Sequence, residues 1–266
     1  MPHVKANDVE IYYELGGPAD APVVMLSNSL GTRLEMWDPQ VPALAERYRV
    51  LRYDSRGHGR SDAPPGPYSI AMLGEDARAL LDALGIANVH FCGLSKGGMV
   101  GQWLAAHHGD RLLSLTLCAT ASRMAPAELW NQRIEQSVRE GMSSLVDGVT
   151  ERWFTAGYRA TPRPEIEQVR AMILATSPRG YGACCAAIRD MDQSEAVRSI
   201  RTPTLIVAGA DDPATTIDVM RDLHERIRGS RFVEISQAAH LLNIEQAERF
   251  NETLTGFLDA KHGTER

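Results

Sequence analysis

The sequence predicts an α/β fold, with a mostly parallel central sheet flanked by helices and a helical cap inserted into the chain. Continuous apolar runs of strand length alternate with stretches whose apolar residues recur at helical spacing, which is typical of a sheet wound with right-handed crossovers. Over residues 122–200 this alternation stops, and several amphipathic helices follow one another without a strand. We therefore predict a core formed by residues 1–121 and 201–266 and a cap, or lid, formed by residues 122–200.

The predicted strands are of two kinds. Residues 4–6 and 9–14 surround Asn7-Asp8, a pair that favours a turn, so the chain is expected to open with antiparallel strands. Residues 22–27 form a continuous apolar run, the pattern of a strand that is covered on both faces. Further strands are predicted over residues 48–53, 89–92, 112–118, 204–209 and 231–235.

The clearest predicted helix begins after Ser69, whose hydroxyl is suited to cap it, and ends near Gly85. Its apolar residues recur at helical spacing: Ile70, Leu73, Ala77, Leu80, Leu81 and Leu84. Other core helices are predicted over residues 100–107, 217–227 and 245–258, with a short one inside 34–48. The predicted cap helices span residues 126–140, 143–154, 164–175 and 180–191.

Composition and charge limit the partners and the location that we expect. The chain has 266 residues, 44% apolar and 23% charged, and a formal net charge of −6, which gives no reason to expect nucleic acid or an anionic membrane as a partner. No apolar run approaches the ~18 residues of a spanning helix and no signal peptide is visible, so we expect a cytoplasmic protein. The four cysteines match neither a disulfide framework nor a zinc spacing, and we expect packed, reduced thiols: Cys92, Cys118, Cys184 and Cys185.

The candidate nucleophile is Ser95, in the stretch Gly93-Leu94-Ser95-Lys96-Gly97-Gly98. An apolar strand precedes this Gly-x-Ser-x-Gly pattern and a helical pattern follows it, as a nucleophile elbow needs. The sharp turn should hold Ser95 in a strained backbone conformation. Gly93 and Gly97 are expected because side chains there would collide where strand and helix pack closely.

A serine nucleophile needs a general base and an acid that orients the base, in the chain order serine, acid, histidine on this kind of sheet. Asp211 and Asp212 directly follow a predicted strand, and His240 follows the last strand and its turn. We choose Asp212, because the preceding turn can bring Asp211 to the surface while Asp212, braced by Pro213, points back toward the histidine.

These motifs resemble the α/β-hydrolase superfamily along the whole chain: the elbow, the acid motif Gly209-Ala210-Asp211-Asp212 and the histidine motif Ala239-His240. The resemblance supports Asp212, since the family's acid lies three residues after that glycine. It also identifies residues 54–61 as the loop that these proteins carry ahead of the elbow. For His58, within this loop, we expect a structural or surface role rather than that of the base.

An oxyanion hole needs two donors near the nucleophile. One is expected to be the backbone N–H of Lys96. Many family members place the other in a His-Gly-x-Gly or His-Gly-x-Pro loop, where this chain has Asn28-Ser29-Leu30-Gly31. Alignment implies the Leu30 N–H, and the missing His-Gly pair leaves Ser29 as an alternative.

The loop 26–32, the run Met36-Trp37-Asp38-Pro39 and the elbow together resemble the 3-oxoadipate enol-lactonases of aromatic catabolism (the beta-ketoadipate pathway). This resemblance implies a small anionic lactone as substrate and neither a metal nor a cofactor. Ser29 is then a candidate substrate contact. Nothing in the sequence predicts an oligomeric state.

Trp130 and Arg133 are three apart on the first predicted cap helix and therefore share a face, where an indole and a guanidinium could hold a planar ring and its carboxylate. The alternative is a tryptophan that packs the cap and an arginine in solvent. Trp153 and Arg152 form a rival pair, disfavoured because adjacent residues do not face the same way.

The side chain of Lys96 has two interpretations: it fills space beside the elbow, or its charge attracts an anion to the site.

The alternative functions of the protein are those of a carboxylesterase, a carbon–carbon bond hydrolase or a ligand receptor of the same fold. Carbon–carbon hydrolases often carry asparagine before the nucleophile, where this chain has Leu94.

Overall fold

A sheet of parallel strands with two antiparallel strands at one edge forms the centre of the molecule. A computed structural model describes residues 2–124 and 126–262. Met1, Ala125 and residues 263–266, which belong to the predicted core and cap ranges, lie outside the described residues. The division into a core and a cap at residues 122 and 200 stays a prediction.

Within the described residues, eight strands form one sheet in the order β1-β2-β4-β3-β5-β6-β7-β8. β1 pairs with β2 and β2 with β4 in antiparallel fashion, and all other neighbours are parallel, as predicted. The strands are β1 His3–Ala6, β2 Val9–Gly16, β3 Val23–Ser27, β4 Arg49–Tyr53, β5 Val89–Leu94, β6 Leu112–Cys118, β7 Thr204–Gly209 and β8 Arg231–Ile235.

The α-helices are α1 Val41–Ala45, α2 Ile70–Ala83, α3 Lys96–His107, α4 Ala127–Glu140, α5 Val146–Trp153, α6 Ala156–Arg159, α7 Pro164–Ala175, α8 Pro178–Arg189, α9 Ile217–Arg226, α10 Leu242–Glu245 and α11 Ala247–His262. Short 3₁₀ helices span Leu34–Gln40, Gly109–Arg111, Met142–Ser144 and Ala196–Ser199. The sequence did not predict α6, because four residues are too short for a helical period to be recognised. The predicted last helix corresponds to α11, and the short helix α10 that precedes it was not predicted.

Helix α2 forms where its capping and apolar signals predict it. The Ser69 hydroxyl accepts a hydrogen bond from the Met72 N–H at 3.1 Å, and Gly85 follows the helix with a φ of +66°. Leu73, Ala77, Leu80 and Leu81 are all buried on one face. Burying a leucine of this kind stabilises the fold by about 1.5–3 kcal/mol.

The parallel strands β3, β5 and β7 are buried along their whole length, which explains their continuous apolar sequences. Helices α2 and α3 pack together on the sheet, and α3 contacts both β3 and β5. All four cysteines are buried and free, as expected. In the described part of the chain, no helix is both long enough and apolar enough to cross a membrane.

Helices α4 to α8 follow β6 in the chain and come before β7. Hydrogen bonds connect this segment with loops at the carboxyl ends of the strands. The Thr176 hydroxyl donates to the Gly31 carbonyl, the Leu241 N–H to the Trp153 carbonyl, and the Tyr68 N–H to the Ala183 carbonyl. The helices therefore lie over the sheet edge where the candidate catalytic residues are predicted.

Candidate active site

Ser95 occupies a sharp turn between β5, which ends at Leu94, and α3, which begins at Lys96. Its φ of 57° and ψ of −114° form a strained conformation, which typically costs about 1–3 kcal/mol and persists because the surrounding packing imposes it. A Cβ on Gly93 would lie 2.2 Å from the Gly97 carbonyl oxygen, and a Cβ on Gly97 would lie 2.1 Å from the Ser27 carbonyl oxygen. The predicted steric role of both glycines is confirmed.

Asp212 and His240 meet at the carboxyl edge of the sheet, beyond β7 and β8. Asp212 Oδ2 lies 2.8 Å from His240 Nδ1, and both side chains are buried. The carboxylate also accepts hydrogen bonds from the Thr215 hydroxyl at 2.6 Å and from the Ala214 N–H at 2.7 Å. Asp211 is exposed, so the structure places Asp212 and not its neighbour beside the histidine.

The hydrogen bonds around Asp212 keep its carboxylate ionised. Burial by itself raises the pKa of Asp212, but the His240 charge and the hydrogen bonds from His240 and Thr215 outweigh burial and leave this pKa below its usual value of 3.8. An ionised carboxylate holds the Nδ1–H tautomer of His240 and leaves Nε2 available to accept a proton.

Ser95 and His240 line one cavity of about 220 Å³ together with the loop after β3 and the helices above the sheet. Its other lining residues include Ser29, Leu30, Met99, Trp130, Arg133, Val149, Arg152, Trp153, Tyr181, Ile188 and Pro213. Three surface clefts are larger, about 480, 580 and 690 Å³, but none of them contains the serine or the histidine. Chemistry, and not size, therefore identifies the smaller cavity as the candidate active site.

Two backbone N–H groups are placed as candidate oxyanion donors. Lys96 is the first residue of α3, where an N–H has no acceptor within the helix. In the loop after β3, the Ser29 N–H donates to Met36 Sδ at 3.3 Å, and the Gly31 N–H donates to His58 Nε2 at 2.9 Å. Among the described residues the Leu30 N–H between them has no acceptor, which favours it over Ser29 as the second donor.

Trp130 and Arg133 share one face of α4 and both line the cavity, as their spacing predicts. The Arg133 guanidinium carbon lies 4.8 Å from the centre of the Trp130 ring. Two buried polar atoms of the cavity lining, Trp130 Nε1 and Ser29 Oγ, have no hydrogen-bond partner within the described part of the chain. Such atoms are costly when left unpaired, and both belong to residues that line the cavity.

The expectation that adjacent residues Arg152 and Trp153 do not both face the site is wrong. Both line the cavity together with Val149, because positions 149, 152 and 153 of α5 have the i, i+3, i+4 spacing that brings residues onto one broad helix face. The Trp153 ring stacks on the His240 ring, with 5.9 Å between the centres and 27° between the planes. Burial and the charge of Arg133 both lower the pKa of Arg152.

Comparison with known proteins identifies the family. Residues 22–163 match the family model described as the alpha/beta hydrolase fold. The chain belongs to the alpha/beta hydrolase family. It is 38% identical over 249 residues to 3-oxoadipate enol-lactonase 2 of Acinetobacter baylyi, covering 94% of this chain and 93% of that protein.

Two further proteins are similar to this alpha/beta hydrolase. The enol-lactonase from Burkholderia xenovorans LB400, known from a crystal structure, is 43% identical in sequence, with a TM-score of 0.95, and the match covers 97% of this chain and 100% of that one. A Caulobacter protein whose name assigns it provisionally to carbamate hydrolysis is 32% identical over 94% of this chain and 96% of that protein.

The Lys96 side chain does not line the cavity of this alpha/beta hydrolase. It is 1% exposed and Nζ donates to Ser55 Oγ, and burial lowers the pKa of Lys96. This placement supports the interpretation that it fills space beside the elbow and speaks against a role in attracting anions. The sequence could not decide between the two, because the Ser55 contact depends on how residues 54–62 fold.

Within the described ranges no three His, Cys, Asp or Glu side chains cluster as metal ligands would. The polar side chains of the cavity lining are four that carry a hydroxyl, one imidazole, two indoles and two guanidiniums. This set is suited to proton transfer and to binding an anion.

Proposed function

We propose that this alpha/beta hydrolase opens 3-oxoadipate enol-lactone, a small anionic lactone, to 3-oxoadipate by acyl transfer to Ser95. One observation carries the proposal: the cavity that contains Ser95 and His240 also contains two guanidiniums, Arg133 and Arg152, for which the described residues provide no carboxylate partner. The similarity to proteins named enol-lactonases supports the choice of lactone.

In the proposed mechanism, His240 Nε2 takes the proton from Ser95 Oγ as this oxygen attacks the lactone carbonyl carbon. The carbonyl oxygen becomes an oxyanion, which the N–H groups of Leu30 and Lys96 stabilise by about 3 kcal/mol for each donor. Asp212 holds the imidazole in the required tautomer and stabilises its protonated form.

Collapse of the tetrahedral intermediate breaks the ring C–O bond, and the electron pair leaves on the enol oxygen. The enolate takes up the proton that His240 received from Ser95 and becomes a ketone, which makes this step favourable and returns the imidazole to its neutral form. His240 then accepts a proton from a water molecule, whose oxygen attacks the acyl carbon. The C–O bond to Ser95 breaks, the serine regains its proton from His240, and 3-oxoadipate is released.

Two unpaired polar atoms and two guanidiniums in the cavity lining support recognition of a small anionic lactone. Trp130 Nε1 and Ser29 Oγ offer hydrogen bonds, and Arg133 offers a charged fork for the carboxylate. A cavity of about 220 Å³ fits a compact ring with a short acidic side chain better than a long acyl ester.

A carbamate is the second candidate substrate, because one relative of 32% identity carries a name that points to carbamate hydrolysis. Carboxylesterase and carbon–carbon bond hydrolase activities use the same nucleophile, whereas a ligand receptor would bind without turnover. Steady-state turnover of a substrate panel separates these functions.

The test compares kcat/KM for three compounds: the enol-lactone, its uncharged methyl ester at the side-chain carboxylate, and a small alkyl carbamate. We expect multiple turnovers and the highest kcat/KM for the charged lactone. Preference for the carbamate would replace the lactone proposal, and binding without turnover would indicate a receptor.

A matched pair of arginine variants tests the contribution of the cap. In Arg133→Met, KM for the charged lactone should rise about 10- to 100-fold, with a smaller change in kcat, because an interaction used in ground-state binding is lost. The methyl ester should respond little. Arg139→Met is the control, since Arg139 is on the same helix but pairs with Glu135 on the surface. Equal effects of both variants would exclude a substrate contact at Arg133.

A further inference from the structure

His58 is a buried histidine outside the candidate catalytic residues, in the loop between β4 and α2. Its Nε2 accepts the Gly31 N–H at 2.9 Å, in the loop that carries the Leu30 N–H. Its Nδ1 lies 3.3 Å from the Arg56 carbonyl oxygen and 3.9 Å from Cys184 Sγ. The imidazole therefore joins the loop after β4 to the loop after β3.

We propose that His58 is a positioning residue for the oxyanion hole: by accepting the Gly31 N–H, it holds the loop so that the Leu30 N–H faces the cavity beside Ser95. The proposal rests on the acyl-transfer mechanism proposed above. It gives the neutral imidazole a part in transition-state stabilisation, although the ring itself does not contact the substrate.

The hydrogen bonds define which tautomer His58 must have. A backbone N–H can only donate, so Nε2 must carry a lone pair, and the proton must be on Nδ1, where the Arg56 carbonyl accepts it. Burial and the nearby charge of Lys96 both act against protonation and hold the pKa of His58 well below 6.5. The ring thus stays an acceptor at neutral pH.

The peptide groups around Leu30 are fixed from both sides. The Ser29 carbonyl, which shares a peptide plane with the Leu30 N–H, accepts from the Thr32 N–H at 3.3 Å and from the Thr32 hydroxyl at 3.0 Å. The Gly31 carbonyl accepts from the Thr176 hydroxyl at 3.2 Å. His58 accepts from the Gly31 N–H of the same turn.

Gly31 is the position where the turn can rotate. Its φ of +78° is one that glycine adopts readily, so the peptide between Leu30 and Gly31 has low intrinsic resistance to reorientation. Without the His58 acceptor, the Gly31 N–H would be buried and unpaired, and rotation would relieve that cost. A rotation of this peptide that displaces the Leu30 Cα also changes the direction of the Leu30 N–H, because the two peptides are joined at that atom.

The test uses variants that keep or remove the acceptor at the Nε2 position. In His58→Gln the amide oxygen can reach that position, in His58→Asn it is too short, and His58→Leu has no acceptor. We expect kcat for the enol-lactone and for 4-nitrophenyl acetate to fall about 10- to 100-fold in the Leu and Asn variants, with little change in KM, and to recover in the Gln variant.

A matched pair of ligands separates positioning from a general structural role. Levulinate binds as a ketone. With its trifluoromethyl ketone analogue, Ser95 Oγ adds to the carbonyl carbon and the serine proton passes to His240. The carbonyl oxygen then becomes an oxyanion that lies in the oxyanion hole. We expect the affinity for the trifluoromethyl ketone to fall by the same factor as kcat in His58→Asn, with the affinity for levulinate unchanged. Equal weakening of both ligands, or an unchanged kcat, would overturn the proposal.

Two controls keep the outcomes distinct. Cys184→Ala removes the other neighbour of His58 Nδ1 but leaves the Gly31 acceptor in place, so the ratio of the two affinities should stay as in the wild type. If His58→Leu does not fold, the Asn and Gln variants decide. If the wild type cleaves 4-nitrophenyl acetate but does not open the enol-lactone, the lactone proposal is wrong, and the ester then serves as the substrate for the test of His58. If the wild type cleaves neither compound, both proposals are wrong.

Discussion

Asp211 and Asp212 are adjacent in the chain but have opposite surroundings. Asp212 is 4% exposed and receives hydrogen bonds from His240, Thr215 and Ala214, whereas Asp211 is in solvent. The distinction could be predicted from the turn and from Pro213, because a strand end fixes which of two successive side chains points inward. The Thr215 contact could not be predicted, since it depends on the fold of the turn itself.

Replacing each aspartate separately measures this difference. In Asp212→Asn the amide no longer favours the required tautomer of His240, and kcat should fall roughly a thousandfold or more. Asp211→Asn, an exposed neighbour of the same size, should change kcat by no more than about twofold. The measurement is kcat for lactone opening with both purified variants. Comparable losses in the two would contradict the assignment of Asp212.

The buried imidazole of His58 gives stability a defined pH dependence. Because its pKa is well below 6.5 in the folded protein, the unfolded chain binds more protons there as pH falls below 6.5. The free energy of unfolding that the neutral His58 contributes is fully present above pH 6.5. It is lost as the pH decreases below this value, by at most about 1.4 kcal/mol for each pH unit. Relative to His58→Gln, the wild type should therefore lose free energy of unfolding on the acid side.

Urea denaturation of both proteins at a series of pH values on either side of 6.5 checks this expectation. The Gln variant retains the other histidines, so the difference between the two curves isolates His58. Parallel curves through this range would mean that the imidazole is not held neutral in the folded protein.

At the scale of elements, the elbow depends on a close approach of β3, β5 and α3. The pattern of an apolar strand, Gly-x-Ser-x-Gly and a helix predicted this arrangement, because only glycine tolerates the contacts that the turn imposes. Short elements were harder to predict. Helix α6 has four residues, and α5 begins at Val146, three residues after its predicted start, because a 3₁₀ turn at Met142–Ser144 precedes it.

Two glycine substitutions test this account of the elbow. Gly97→Ala places a methyl group against the Ser27 carbonyl and should lower the free energy of unfolding by about 3 kcal/mol. Gly256→Ala is the matched control. This glycine is exposed within α11, a Cβ there meets nothing within 4 Å, and the change should stabilise the protein by about 0.5–1 kcal/mol. Urea denaturation measures both, and a neutral Gly97→Ala would contradict the close approach.

At the scale of the whole molecule, the site is formed where the sheet edge meets the helices above it. Glu245 connects the two parts: its carboxylate accepts the Ala239 N–H at 2.8 Å, next to His240, and the Thr155 N–H at 3.0 Å, after α5. The Trp153 ring that stacks on His240 comes from the last residue of α5. His240 is thus held by both parts of the molecule.

This division explains what the sequence could predict about the site. Ser95, Asp212 and His240 could be placed together, because the carboxyl ends of parallel strands meet at one edge of a sheet. Arg152 and Trp153 were not both placed there, because adjacent residues were expected to face apart, although with Val149 they have the i, i+3, i+4 spacing of one helix face. The contact between His58 and Gly31 joins two loops whose conformations no local pattern specifies.

The most direct measurement of the central claim is the rate at which purified Ser95→Ala opens the enol-lactone, relative to the wild type at the same pH. We predict that the wild type turns over repeatedly and that Ser95→Ala loses at least about ten-thousandfold in kcat, because no other residue supplies the attacking oxygen. A Ser95→Ala variant that opened the lactone at the wild-type rate would contradict catalysis by Ser95, His240 and Asp212.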